Sequence, residues 1–120
     1  MSQYAADVGD NNPVHHDAAF AAASRYGRLI ASGTHTTALI LGLTASHFSK
    51  SAAMVGLEFS VRFIRPIYAD EIIHLEWLVI RVSPNPKLRG DIVELRGRIR
   101  NQRMQTALGA TGKVLVTQQL

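Results

Sequence analysis

Asp10 and His15 are the residues in this chain whose types and spacing could do chemistry. A carboxylate and an imidazole stand five residues apart, with Asn12-Pro13 between them. Proline fixes its own φ and pushes the preceding residue out of helical geometry, so the two side chains cannot share one continuous helix face. They must converge across a turn. Such a turn can aim both groups at one small volume, which suits the handling of a water proton or of a carbon acid. An acid before Asn-Pro also serves as a plain turn residue that satisfies local backbone donors, and a lone histidine is often structural. On the residues alone both readings stand.

The elements that must position this pair follow in order. Asp17 is a candidate N-cap for a short helix through Ala18, Ala19, Phe20 and Ala21, with Gly27 as its stop. Gly33 then opens a longer apolar run to Phe48. The first N–H groups of that helix lack intrahelical partners, and with the positive end of the helix dipole they could hold a developing oxyanion. The plainer role for Gly33 is to relieve a tight helix entrance. Ala38, Leu39, Ile40, Leu41, Leu43 and Ala45 leave little polar face, so the helix is expected to be buried on most sides.

Four strand candidates come next. Leu57, Phe59, Val61 and Phe63 alternate with Glu58, Ser60 and Arg62 until Pro66, and Ile73, Leu75, Trp77 and Val79 form the second run. Ser83-Pro84-Asn85-Pro86 reads as a strong breaker. Val93, Leu95 and Ile99 alternate with Glu94, Arg96, Arg98 and Arg100, and Leu108, Ala110, Val114 and Val116 suggest the last strand. Short connections favour antiparallel pairing, and a long helix before such a sheet is an α+β arrangement. With no repeat or linker, residues 1–120 read as a single domain able to bury about two-thirds of its unfolded surface.

The turn Asp10-x-Asn12-Pro13-x-His15, followed by Asp17, a short helix and Gly33, resembles the signature of the MaoC-like family of R-specific enoyl-CoA hydratases. The stretch Phe59 to Ile72, FSVRFIRPIYADEI, is similar to the family's second strand and the turn after it. The resemblance implies a hot-dog fold, in which a curved antiparallel sheet wraps a central helix. It implies that Asp10 and His15 are the catalytic pair, that the Gly33 N–H forms the oxyanion hole, and that Asn12 and Pro13 shape the site. The implied reaction adds water to a trans-2-enoyl thioester to give the R-3-hydroxyacyl thioester, or runs in reverse. The substrate would be an acyl-CoA or acyl-carrier thioester, no cofactor or metal would be needed, and two copies would pair as a homodimer with the acyl tunnel near their interface.

Members of that family usually carry a strand and a helix before the Asp turn. This chain starts too late to include the strand, so either the sheet is one strand short or the sequence is a shortened form. Ser32 occupies the place where many members have histidine, and Leu41 a place where some have serine. Two alternatives keep the fold and change the function. A hot-dog thioesterase usually places its carboxylate on or near the central helix, and this chain has no acid between Gly33 and Phe48. A non-catalytic acyl-thioester-binding subunit would fit the absent strand and Ser32.

Composition bounds the remaining possibilities. The chain is 47% hydrophobic and 18% charged, which is globular rather than disordered. It has no cysteine, which excludes disulfides and thiolate metal sites and fits a reducing cytoplasm. The start MSQYAADVG lacks the basic and apolar segments of a secretory signal, and no apolar run is long enough to span a membrane. The net charge of +4 fits either a solvated sheet face or attraction of an anionic ligand. Arg89, Arg96, Arg98, Arg100, Arg103 and Lys113 come with no recognition motif or aromatic array, which argues against nucleic acid. His15, His16 and Asp17 invite a metal, but adjacent histidines diverge on most backbones and spacing supplies no third ligand. His35 is a second-tier site candidate; Met54 and Trp77 read as packing residues.

Overall fold

Alternation in the second half of the chain builds an antiparallel sheet. The computed structural model describes residues 2–50 and 52–118. Its strands are β1 (Ala53–Phe63), β2 (His74–Asn85), β3 (Gly90–Arg100) and β4 (Thr106–Thr117), in the spatial order β1-β4-β3-β2 with every pair antiparallel. Before them come α1 (Ser2–Asp7), a 3-10 turn (Pro13–His15), α2 (Ala18–Ala23) and α3 (Gly33–Phe48). The residues described ahead of the Asp turn form a helix, and no strand precedes it among them. This is the hot-dog arrangement, an antiparallel sheet curled against a central helix.

One face of the sheet is dry because its period-two pattern is apolar. Val93, Leu95 and Ile99 of β3 and Leu108, Ala110 and Val114 of β4 are buried, while Arg96, Arg98 and Lys113 between them are exposed. Ile40 of α3 packs against Ile99, Leu108 and Ala110, and Phe48, Met54 and Phe59 close over Val93, Leu95 and Val114. Trp77 of β2 joins both groups, and its indole N–H donates to the Ile40 carbonyl at 2.8 Å. That bond satisfies the one polar atom of a large apolar side chain and fixes helix to sheet. Directly across from Trp77 stands Gly97, where a Cβ would meet the indole at 2.6 Å. Glycine is required there by close approach.

Three expectations need correcting. The central helix is not buried on most sides: its fully buried positions are Thr36, Ile40 and Thr44, a single stripe at helical spacing. Leu39 and Leu43 remain 43% and 39% exposed, because a single sheet curls around one side of the helix only. The second helix does not reach Gly27. It ends at Ser24, whose extended ψ of 171° and hydroxyl bond to the Ala21 carbonyl stop it, while Gly27 takes a φ of +75° in the turn beyond. The breaker at Ser83 to Pro86 does not end β2 where it begins. The strand runs on to Asn85, because β2 lies at the sheet edge, where proline's missing donor is tolerated. Pro86 instead opens the hairpin turn, with Arg89 N–H bonded to its carbonyl.

Gly97→Ala should place a methyl group against the indole of Trp77 and push it off Ile40. The expected outcome is a loss of about 1–3 kcal/mol, read as a lower urea midpoint with an unchanged slope. An unchanged midpoint would show that the Trp77 contact is not under this constraint.

Candidate active site

Asp10 is placed by the end of α1. Gly9, at φ +82°, sends its N–H to the Ala6 carbonyl at 3.1 Å, and the Asp10 N–H reaches Ala5 at 2.7 Å. This pair of bonds is the Schellman ending of a helix, and it needs a residue that tolerates the left-handed region. The Asn12 N–H then donates to Asp10 Oδ1 at 3.3 Å, and Asn12 Oδ1 accepts from Val14 N–H at 3.3 Å to cap the 3-10 turn. Pro13 occupies the first position of that turn, where its missing N–H costs nothing. Asn12 and Pro13 thus fix the backbone of the turn between Asp10 and His15.

The turn brings the two expected residues together. His15 Nε2 lies 3.4 Å from Asp10 Oδ2. His15 Nδ1 is 3.0 Å from the Ile30 carbonyl, which can only accept, so Nδ1 carries the proton and Nε2 of the neutral ring turns its lone pair toward the carboxylate. Two facing acceptors call for a shared donor. A water molecule with one O–H toward each, or an extra proton on Nε2, satisfies both. His16 has a different task. Its Nε2 donates to the Asp10 backbone carbonyl at 2.7 Å and its Nδ1 pairs with Ser2 Oγ at 2.7 Å, tying α1 to the turn.

The entrance of α3 completes the arrangement. Ser32, the N-cap of α3, sends its hydroxyl to Asp10 Oδ2 at 2.5 Å. The carboxyl is held below its ordinary value chiefly by that Ser32 bond, against the opposing effect of burial, with the Asn12 N–H, His15 and His16 adding to the lowering. The next residue, Gly33, has a backbone N–H with no acceptor among the described residues. A Cβ at Gly33 would lie 2.9 Å from the Phe63 ring, so glycine permits the close approach of the two segments. Beside it runs a largely apolar cleft of about 360 Å³ lined by Tyr26, Ile30, Gly33, Phe63, Ile67 and Leu108 among others. Arg65 and Pro66 line this cleft and also a polar one of about 880 Å³, to which Arg28 and Arg103 contribute.

Other candidates fall outside this centre. His35 stacks on Tyr4 with ring centroids 4.4 Å apart, and burial lowers its pKa. Thr36 bonds its own helix at the Gly33 carbonyl, and Leu41 packs against the core. Asp17 caps α2 through the Phe20 N–H, as its position suggested. Arg98 and Arg100 pair with Glu76, which favours a solvated face for that part of the basic set. Among the described residues no group of three His, Asp or Glu side chains is placed to hold a metal ion. No helix among them is long and apolar enough to cross a membrane.

Sequence reasoning missed Gly9 and Ile30, and it singled out Ser32 as a departure at the helix entrance without naming Asp10 as its partner. Gly9 after a short helix was a readable stop signal, and Ser32 a readable cap. Neither signal names the partner that the residue meets, and the Ile30 carbonyl gives no sequence signal at all.

The family model described as MaoC like domain matches residues 1–94. The chain belongs to the MaoC-like family. Solved structures that the MaoC-like chain resembles include the (R)-hydratase from A. caviae involved in PHA biosynthesis, 26% identical, covering 94% of this chain and 82% of that one with a TM-score of 0.83. An R-hydratase from Pseudomonas aeruginosa is 27% identical over 97% of this chain and 71% of its own, at 0.82. The MaoC-like dehydratase from Rhodospirillum rubrum is 26% identical over 98% and 81%, at 0.83. No curated protein matches the sequence. The likeness to these structures establishes the hot-dog fold independently of the motif.

A depressed folded pKa contributes stability above the unfolded value, and that stability is lost as pH falls through the folded one. Wild type should therefore exceed Asp10→Asn in urea stability at neutral pH, and the gap should close as pH drops below the ordinary carboxylate range. A gap that stays constant with pH would contradict the ionised Asp10–Ser32 contact.

Proposed function

We propose that this MaoC-like protein adds water to a trans-2-enoyl thioester to give the R-3-hydroxyacyl thioester, or catalyses the reverse dehydration. The observation that carries this reading is the approach of Asp10 Oδ2 and His15 Nε2 to 3.4 Å beside the α3 entrance, where the Gly33 N–H has no acceptor among the described residues. Asp10 and His15 share one water. As its oxygen bonds to the β-carbon, one O–H bond breaks and the pair takes up the proton. The π electrons shift toward the thioester, and the Gly33 N–H with the helix dipole stabilises the negative charge on its oxygen. The pair then delivers a proton to the α-carbon. H and OH are added across the double bond, the pair ends as it began, and the chemistry needs no redox cofactor.

Structurally related hydratases and a dehydratase support this reading. The apolar cleft beside Gly33 suits an acyl chain, and in the polar cleft, where Asp70 pairs with Arg28 and Glu71 also lies, Arg65 and Arg103 are the cations for the phosphates of a coenzyme A or acyl-carrier thioester. A second copy of the chain is the natural cover for the open side of α3 and for Leu78, Val79, Ile80 and Val82 on edge strand β2, all of them exposed.

The test is an ultraviolet assay with crotonyl-CoA, following loss of the conjugated enoyl thioester, with product chirality and free thiol recorded. Turnover to the R-3-hydroxy product is expected, with Asp10→Asn and His15→Ala each lowering kcat by about 10²–10⁴-fold. Gly33→Ala should fold, because Phe63 is 62% exposed and can move, yet lose turnover as its methyl crowds the oxyanion position. Release of free thiol would establish a thioesterase instead. Binding without turnover, across short and long acyl chains, would establish a non-catalytic subunit.

A further inference from the structure

We propose that the hydroxyls of Ser32 and Thr34 form a directed chain that holds Oδ2 of Asp10 in place beside His15, making Ser32 a positioning residue of the site. Its role in turnover rests on the hydration reading above. Ser32 Oγ stands 2.5 Å from Asp10 Oδ2 and 2.6 Å from Thr34 Oγ1. A carboxylate oxygen only accepts, so the single Ser32 proton goes to Asp10. Ser32 Oγ has only acceptor capacity left, and the Thr34 hydroxyl must donate to it. The Thr34 backbone N–H does the same at 3.3 Å. Two donors therefore back a hydroxyl whose own proton is committed to the carboxylate, and polarisation along the chain strengthens that last bond. Ser32 is 1% exposed, so water does not compete for it.

This direction holds only while Asp10 is ionised. A proton on Oδ2 would face the hydroxyl that already donates there, and the chain would have to reverse. Asp10 is accordingly held below its ordinary value, with the Ser32 bond the largest cause. The other titratable groups that act on Asp10 are His15, across the turn, and His16, which meets its backbone carbonyl. From α1 Asp10 meets the Ala5 carbonyl, and at the entrance of α3 it meets the Ser32 hydroxyl, while the His35 ring stacks on Tyr4. The consequence is that the resting carboxylate stays unprotonated, with Oδ2 held beside His15 Nε2.

The test reads Asp10 directly, by titrating its ¹³C-labelled carboxyl by NMR in wild type, Ser32→Ala, Ser32→Gly, Ser32→Thr and Thr34→Val. Glycine is tolerated at a helix N-cap nearly as well as serine, so Ser32→Gly serves if Ser32→Ala does not fold. Without the Ser32 hydroxyl, Asp10 should titrate at higher pH. Thr34→Val should shift it less in the same direction, and Ser32→Thr should return it toward wild type. In the crotonyl-CoA assay, kcat of Ser32→Gly should fall about tenfold or more with little change in KM, and the acid limb of its pH profile should move up. Superimposable Asp10 titrations in wild type and Ser32→Gly would overturn the proposal, as would a kcat loss that Ser32→Thr does not restore. A wild-type protein without hydratase turnover would overturn the functional reading alone, and the carboxyl titration would still decide what Ser32 does.

Discussion

One carboxylate oxygen holds the site together. Asp10 Oδ2 meets the Ser32 hydroxyl at 2.5 Å and faces His15 Nε2 at 3.4 Å, so it links the end of α1, the 3-10 turn and the entrance of α3. Each of these segments is too short or too irregular to hold a fixed geometry alone. A three-residue turn has few hydrogen bonds of its own, and α1 has six residues. What makes the arrangement rigid is that every polar group around the carboxylate has a second engagement. Asn12 caps the turn while donating to Oδ1, His15 anchors its far nitrogen on Ile30, and His16 clamps the Asp10 carbonyl. Charge-assisted contacts in a partly dry setting are worth more than exposed ones, which is why a few of them suffice.

The sheet provides the frame against which α3 can present its first turn. Trp77 binds the Ile40 carbonyl and fills the space left by Gly97, so the helix is fixed by a packing contact and a hydrogen bond together. Its N-terminal end is then held beside the apolar cleft, with Phe63 of β1 against Gly33. The buried stripe of α3 contains two threonines, and Thr36 and Thr44 return their hydroxyls to helix carbonyls rather than leaving them unpaired. That choice narrows the apolar face that α3 turns to the sheet and leaves Leu39 and Leu43 exposed.

Much of this was legible in the residues. The Asn12-Pro13 step excluded a continuous helix between Asp10 and His15, and the two side chains do converge across a turn. Alternation located the strands, because a sheet with one dry face imposes a period of two that no other element shares. Element ends were less legible: the helix expected to stop at Gly27 stops at Ser24, since a serine hydroxyl bonded to the preceding turn can end a helix as well as a glycine can. The breaker at Pro84 was overridden for a topological reason. Its missing N–H matters only in an interior strand, and no local pattern says that β2 lies at the edge.

The sequence by itself determined the local events: where backbone geometry is fixed by Pro13, where Asp17 caps a helix, and which strand face is apolar. These depend on interactions within a few residues, and side-chain type and spacing encode them directly. Tertiary structure alone decided that Ser32 meets Asp10 across twenty-two positions, that the Ile30 carbonyl sets the tautomer of His15, and that Phe63 stands against Gly33. Such contacts join segments whose separation along the chain carries no periodic signal. They come into being only when the sheet has closed on the helix and the packing of Trp77 and Ile40 has fixed the distance between them.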